Sequence, residues 1–133
     1  MNLIYQKEEN LNADEFQSVL IRSTLGARRP VDDIERLGAM VQNANLVITA
    51  RDGDLLVGVA RGLTDFCYCT YLSDLAVDEQ YQNRGIGKQL IREVMKVAPQ
   101  AKLILLSAPA AVDYYPKLGM ERHPHCFTLD HKI

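Results

Sequence analysis

The stretch LAVDEQYQNRGIGKQLIREV, residues 75–94, decides how this chain is read. An apolar run, Leu75-Ala76-Val77, is followed by a polar loop and a glycine pair, Gly85-Ile86-Gly87. Beyond the glycines, Leu90, Ile91, Val94 and Val97 recur at i, i+1, i+4 and i+7, one apolar face of a helix that Pro99 stops. Glycines between a strand and a helix let a phosphate approach the backbone, where the helix start offers unpaired N–H groups and a favourable dipole. Three readings compete. A P-loop requires Gly-x-x-x-x-Gly-Lys-Ser/Thr, but Gly87-Lys88 is followed by Gln89 and no glycine stands five before Gly87. A dinucleotide fingerprint requires Gly or Ala where Leu90 stands, and an acidic residue about 20 positions on, where Leu106-Ser107 stand. The third is Gln82-x-x-Gly85-x-Gly87, in which the N–H groups of residues 84 to 88 hold a pyrophosphate and Arg84 and Lys88 add charge. Against it stands a plain tight helix entry with a solvated Arg84 and Lys88.

Working outward, Leu3-Ile4-Tyr5 reads as an opening strand. Asn12 caps a helix from Ala13 to Ser23 with Phe16, Val19 and Leu20 as its stripe, and Gly26 ends it. Pro30, with Asp32, Asp33 and Glu35 behind it, starts a second helix. Asn45 to Ala50 and Leu55 to Arg61 are strands around Arg51-Asp52-Gly53-Asp54, a hairpin signal. Cys67 to Val77 is a long strand. Leu103-Ile104-Leu105-Leu106, wholly apolar, suits a central strand buried on both faces. A short helix around Ala110 to Leu118 ends at Gly119, and Cys126 to Leu129 makes a final strand. The order mixes a meander with one βαβ crossover: an α/β chain (α+β mixed) with helices on both faces of a mixed sheet, not a doubly wound Rossmann sheet.

A chain of 133 residues with 47% hydrophobic and 24% charged side chains is expected to be one ordinary globular domain over residues 1–133. No apolar run approaches the roughly 20 residues that span a membrane. MNLIYQKEEN lacks the basic start and apolar core of a signal peptide, so a cytoplasmic home is expected. Cys67, Cys69 and Cys126 have no metal spacing and are expected reduced and buried; no metal is expected. The net charge of −2 and the lack of a basic run argue against a nucleic-acid binder. Residues 1–80 hold 7 basic and 13 acidic side chains and residues 81–133 hold 8 and 4, which points an anionic ligand to the second half and a cationic one to the first.

Taken together, Asp74-Leu75-Ala76-Val77-Asp78 through Gln82-Asn83-Arg84-Gly85-Ile86-Gly87-Lys88-Gln89-Leu90, with the later Ala111-Val112-Asp113-Tyr114-Tyr115-Pro116-Lys117-Leu118-Gly119-Met120, resembles the GNAT superfamily of acyl-CoA-dependent acyltransferases. The resemblance is strong over residues 70 to 120. It implies a mostly antiparallel central sheet with a splayed parallel strand pair, Leu72 to Val77 and Leu103 to Leu106, that receives the pantetheine arm as an added strand would. It implies cofactor contacts from Leu75, Ala76, Val77, Gln82, Asn83, Arg84, Gly85, Ile86, Gly87, Lys88 and Tyr115, with acetyl-CoA as co-substrate. The Val77 N–H would polarise the thioester carbonyl, and Tyr115 would hydrogen-bond the CoA sulfur. Pro116 leaves Tyr114 as the alternative, because proline removes an N–H and pushes its predecessor out of helical geometry. A homodimer is a further implication.

The base is open. The family often places Glu or a water chain on the long strand, where Tyr71 stands here; Asp74 is the nearest candidate, with Asp65, His123 and His125 behind it, and each also reads as a plain structural or solvated residue. The leading expectation is acetyl transfer from acetyl-CoA to a small primary amine, the acidic Asp32, Asp33 and Glu35 fitting a cationic acceptor. A protein lysine or N-terminal acetyltransferase, a non-catalytic acyl-CoA sensor and a plain interaction domain are the competing readings.

Overall fold

The computed structural model describes residues 2–131. Five strands, β1 (Leu3–Lys7), β2 (Leu46–Asp52), β3 (Leu55–Thr64), β4 (Cys69–Val77) and β5 (Lys102–Leu105), form one sheet in sequence order. The first three pairings are antiparallel, and β4 with β5 is parallel. Helices α1 (Ala13–Arg22) and α2 (Ile34–Asn43) cover one face, and α3 (Ile86–Val97) the other.

Local chemistry explains these elements. Asn12 caps α1 by accepting the Glu15 N–H at 2.7 Å, and Phe16, Val19 and Leu20 drive its inner face into a core with Leu37, Val59 and Ala76. On α3, Ile86, Leu90 and Val94 are buried against Ile48, Ala50 and Leu72. Each fully buried aliphatic side chain is worth about 1.5–3 kcal/mol of transfer free energy, so each face of the sheet has its own apolar anchor. Gly53 (φ 61°) closes the β2–β3 hairpin as its sequence implies.

Several expectations are corrected. Helix α1 ends at Ser23, with Thr24 taking the left-handed turn (φ 73°). Gly26 instead sits where a Cβ would come 3.1 Å from the Ile21 backbone. Helix α2 starts at Ile34, because Asp33 is its cap and accepts the Arg36 N–H at 3.0 Å; Pro30 lies in the preceding turn. The long strand starts at Cys69, since Asp65 gathers the N–H groups of Cys67, Tyr68 and Cys69 into a turn. The expected helix over 110–118 is two 3₁₀ turns, Pro109–Ala111 and Tyr115–Leu118.

Residues 126–129 form no strand, and Phe127 and Leu129 are 90% and 68% exposed. Among the described residues β5 is therefore an edge strand and not a buried central one: Leu103 and Leu105 turn toward the α3 core while Ile104 is 41% exposed. Cys67, Cys69 and Cys126 are free, but exposed and not buried, because all three fall in turns, a strand end or the C-terminal segment outside both cores.

Candidate active site

The site begins at an irregularity in β4. Arg61 pairs with Asp74 and Gly62 with Leu72, which leaves Ser73 as an extra residue, a β-bulge. Gly62 permits it: a Cβ there would lie 2.9 Å from the Tyr71 carbonyl oxygen. Pairing of β4 with β5 runs from Cys69–Lys102 to Leu72–Leu105 and stops there. A bulge bends its strand, so β4 and β5 part where the bulge sits.

The gap opens into a cavity of about 270 Å³, near the low end for small-molecule sites. Leu72, Ser73 and Leu75 line it from β4, Leu105, Leu106 and Ser107 from β5 and its extension, and Tyr115 from the C-terminal side. Asp78 donates its N–H to the Val57 carbonyl at 2.8 Å. Alternation along an extended chain then turns the Val77 N–H away from β3, toward the open gap. Gln82 Nε2 donates to the Val77 carbonyl at 3.1 Å, so Gln82 braces the strand end.

Next along the chain, Asn83 (φ 64°) and Gly85 (φ 79°) adopt left-handed backbone and deliver the chain to α3, which no side chain caps. Its first N–H groups have no intrahelical acceptor. A Cβ at Gly85 would meet nothing within 4 Å, so the turn is open to an incoming group. Arg84 stacks over the Tyr81 ring at 5.2 Å, and the Tyr81 hydroxyl donates to Asp52 at 2.7 Å, pinning the loop to the β2–β3 hairpin. Open backbone donors, a helix dipole and basic side chains suit a phosphodiester.

Pro116 falls in the first turn of a 3₁₀ helix, where its missing N–H is not needed, and Gly119 (φ 89°) closes that turn. Tyr115 lines the cleft, and its ring meets Tyr114 edge-on at 5.2 Å. Burial, and then the neighbouring Tyr114, push the Tyr115 hydroxyl above the usual phenol value.

The acetyltransferase (GNAT) family profile matches residues 10–120 of this chain. The chain belongs to that family.

Over 111 residues, 73% of this chain, it is 27% identical to a histone acetyltransferase, TAP1, from Glycine max. It spans 28%, 47% and 44% of the lengths of the first three curated relatives it matches. Among solved structures, a GNAT-family acetyltransferase from Streptococcus pneumoniae superposes with a TM-score of 0.81 at 22% identity, covering 99% of this chain and 98% of that one. The aminoglycoside N-acetyltransferase AAC(6')-Iy, solved with CoA, gives 0.74 at 15% identity over 99% of this chain and 96% of that one. At these identities the likeness carries the GNAT fold, which is the mixed, mostly antiparallel sheet with one parallel pair seen here.

Not every candidate reaches the cleft. The Asp74 side chain is fully buried, with Arg29 Nε on one carboxylate oxygen at 2.5 Å and Arg61 Nε on the other. Both of its acceptor oxygens are committed to guanidinium groups, so it anchors the bulge and does not meet an amine. Asp65 is spent on three backbone N–H groups, Tyr68 foremost, which hold its carboxyl below the usual carboxylate range. His123 and His125 pack edge-on at 5.7 Å in the exposed C-terminal segment. None of the four lines the cavity. Asp33 is used as a helix cap, and neither Asp32 nor Glu35 lines the cavity.

Two residues had no sequence signal: Arg28 and Arg29 line the cavity from the α1–α2 connection. They stand in no recognisable pattern, and Arg29 reaches Asp74 across 45 positions of sequence.

Proposed function

We propose that this chain transfers the acetyl group of acetyl-CoA to the primary amine of a small molecule, by direct attack of the amine on the thioester. The single observation that carries the reading is that Leu75, on the cavity wall where β4 leaves β5, also lies 3.9 Å from where a Cβ on Gly87 would stand, at the uncapped start of α3. A strand-like pantetheine arm fits the gap, and a pyrophosphate fits the backbone donors at Gly85 and the residues after it.

Bound acetyl-CoA supplies the activated acyl group. The Val77 N–H, directed into the gap, donates to the thioester carbonyl, where such a donor is worth up to about 3–4 kcal/mol in the transition state. Tyr115 donates its hydroxyl proton in a hydrogen bond to the departing sulfur. A phenol near 10 and a thiol near 8.5 already make complete transfer uphill by roughly 2 kcal/mol. Burial of Tyr115 raises that further, so the hydroxyl acts as a hydrogen-bond donor. The protic side chains in the cavity lining are Tyr71, Ser73, Ser107 and Tyr115 besides two arginines, and no carboxylate or imidazole is among them. The amine therefore reacts in its neutral form and loses its proton to water.

A second reading, acetylation of a protein amine, draws on the similarity to the histone acetyltransferase. Release of CoA thiol is measured with a panel of small amines and, in parallel, lysine-bearing peptides. Turnover confined to peptides would replace the first reading with the second. A CoA-induced rise in melting temperature without any turnover would make the chain a sensor.

A further inference from the structure

The two faces of the sheet divide the cleft. The glycine turn and α3 lie on one face, while α1, α2 and the connection carrying Arg28 and Arg29 lie on the other. If the cofactor enters from the α3 side, the acceptor meets the thioester on the side where the arginines stand. Each nitrogen of the Arg29 guanidinium is engaged once: Nε to Asp74 at 2.5 Å, Nη2 to the Ser73 carbonyl at 2.8 Å and Nη1 to the Arg28 carbonyl at 2.8 Å. That last bond fixes the backbone of Arg28 at the cavity wall. Arg28 itself is exposed, and its guanidinium pairs with no acceptor among the described residues.

Charge at this wall is one-sided. Arg28 and Arg29 line it and no carboxylate does, while Asp74, the partner of Arg29, is buried and saturated by Arg29 and Arg61. The acidic side chains of the first half of the chain are elsewhere. An alkylammonium substrate with a second positive charge would meet only repulsion here, and an acceptor bearing an anion would meet a planar donor set suited to a carboxylate or phosphate.

We infer that Arg28 is a specificity-determining residue that selects an amine acceptor carrying a carboxylate or phosphate group. This rests on the acetyl-transfer reading given above.

Turnover is compared for ethanolamine, O-phosphoethanolamine, 3-aminopropanoate and cadaverine, on native protein and on Arg28→Gln and Arg28→Lys. A partly exposed charge contact is worth up to about fivefold. The native protein is expected to show kcat/KM about three- to fivefold higher for one of the two anionic amines than for ethanolamine, and lowest for cadaverine. Which anionic arm leads identifies phosphate or carboxylate as the group recognised. Arg28→Gln should abolish the preference by raising the acceptor KM, leave the KM for acetyl-CoA unchanged, and be partly rescued in Arg28→Lys. Equal use of all four amines, a preference for cadaverine, or an Arg28→Gln defect equal for every acceptor overturns the inference. Failure of the acetyl-transfer reading registers separately, as absence of turnover with every amine, whether or not CoA raises the melting temperature. Calorimetric titration with O-phosphoethanolamine, 3-aminopropanoate and ethanolamine then tests the site without turnover. If neither anionic amine binds native protein more tightly than ethanolamine does, or if Arg28→Gln leaves that difference intact, Arg28 has no such role.

Discussion

A Cβ on Gly87 would come 2.8 Å from the Tyr114 hydroxyl, so the second glycine of the turn makes room for a tyrosine from the C-terminal segment. The first, Gly85, has open space above it and a backbone at φ 79°. The pair therefore divides its work: Gly85 shapes and opens the turn, and Gly87 docks Tyr114 onto the start of α3.

Gly87→Ala is expected to lower stability by about 1 kcal/mol, because the displaced atom is the far end of a side chain that can move. In a Tyr114→Phe background the penalty should vanish, as the next ring atom lies 3.6 Å away. Gly85→Ala should cost about 1 kcal/mol in either background, from backbone strain alone. Urea denaturation of the double-mutant cycle checks both.

Tyr115→Phe should lower kcat by about 10- to 100-fold with little change in acetyl-CoA affinity, and Tyr114→Phe by less than about threefold, since only Tyr115 lines the cavity. CoA thiol release under saturating acetyl-CoA reads the difference. The reverse ranking would move the role to Tyr114.

For an alkylamine acceptor, neutral in only about one part in 2,500 at pH 7, log kcat/KM should rise with unit slope from pH 6 to 9. The raised Tyr115 hydroxyl stays protonated across this window and imposes no fall. A plateau beginning near pH 7 would reveal a protein base and contradict the water route.

Asp74→Asn should destabilise the fold by about 3–5 kcal/mol, the loss typical when one partner of a buried ion pair is removed, because Arg29 and Arg61 are left facing a neutral amide. Chemical denaturation measures this. A variant of native stability with a selective loss of kcat would instead restore Asp74 as a base.

Glu8 ties β1 to β2 through Arg51, whose hydrogen bonds hold the Glu8 carboxyl below its ordinary value. As pH falls through about 4.5, the unfolded chain takes up the proton first, so stability contributed above that pH is lost on acidification. Stability measured between pH 6 and 3 should decline less steeply in Glu8→Gln.

Much of the fold around the cleft is legible in the sequence. The apolar period of α3, the Asn12 cap, the Gly53 hairpin and the strand–glycine–helix order are all short-range features, set by side-chain spacing and by φ values that few residues tolerate. The tyrosine pair was legible as a pair. Choosing between its members needed the packing of Tyr114 on Gly87 and the placement of Tyr115 in the cleft.

The errors have one origin. Leu103 to Leu106 reads as a doubly buried strand because apolarity does not say whether a neighbour covers the second edge, and here residues 126–129 leave it open. For the same reason Asp74 reads equally as a base and as a structural carboxylate, because its partners, Arg29 and Arg61, stand 45 and 13 positions away. The acidic first half of the chain presents arginines to the cleft for the same reason.

By itself the sequence determined the family, the helix that follows the glycines and the backbone character of the glycine turn, since these depend on neighbours within a few residues. Only the tertiary structure decided where β4 parts from β5, which tyrosine lines the gap and what sign of charge lines it. Those follow from the Ser73 bulge and from contacts between distant segments, which no local pattern encodes.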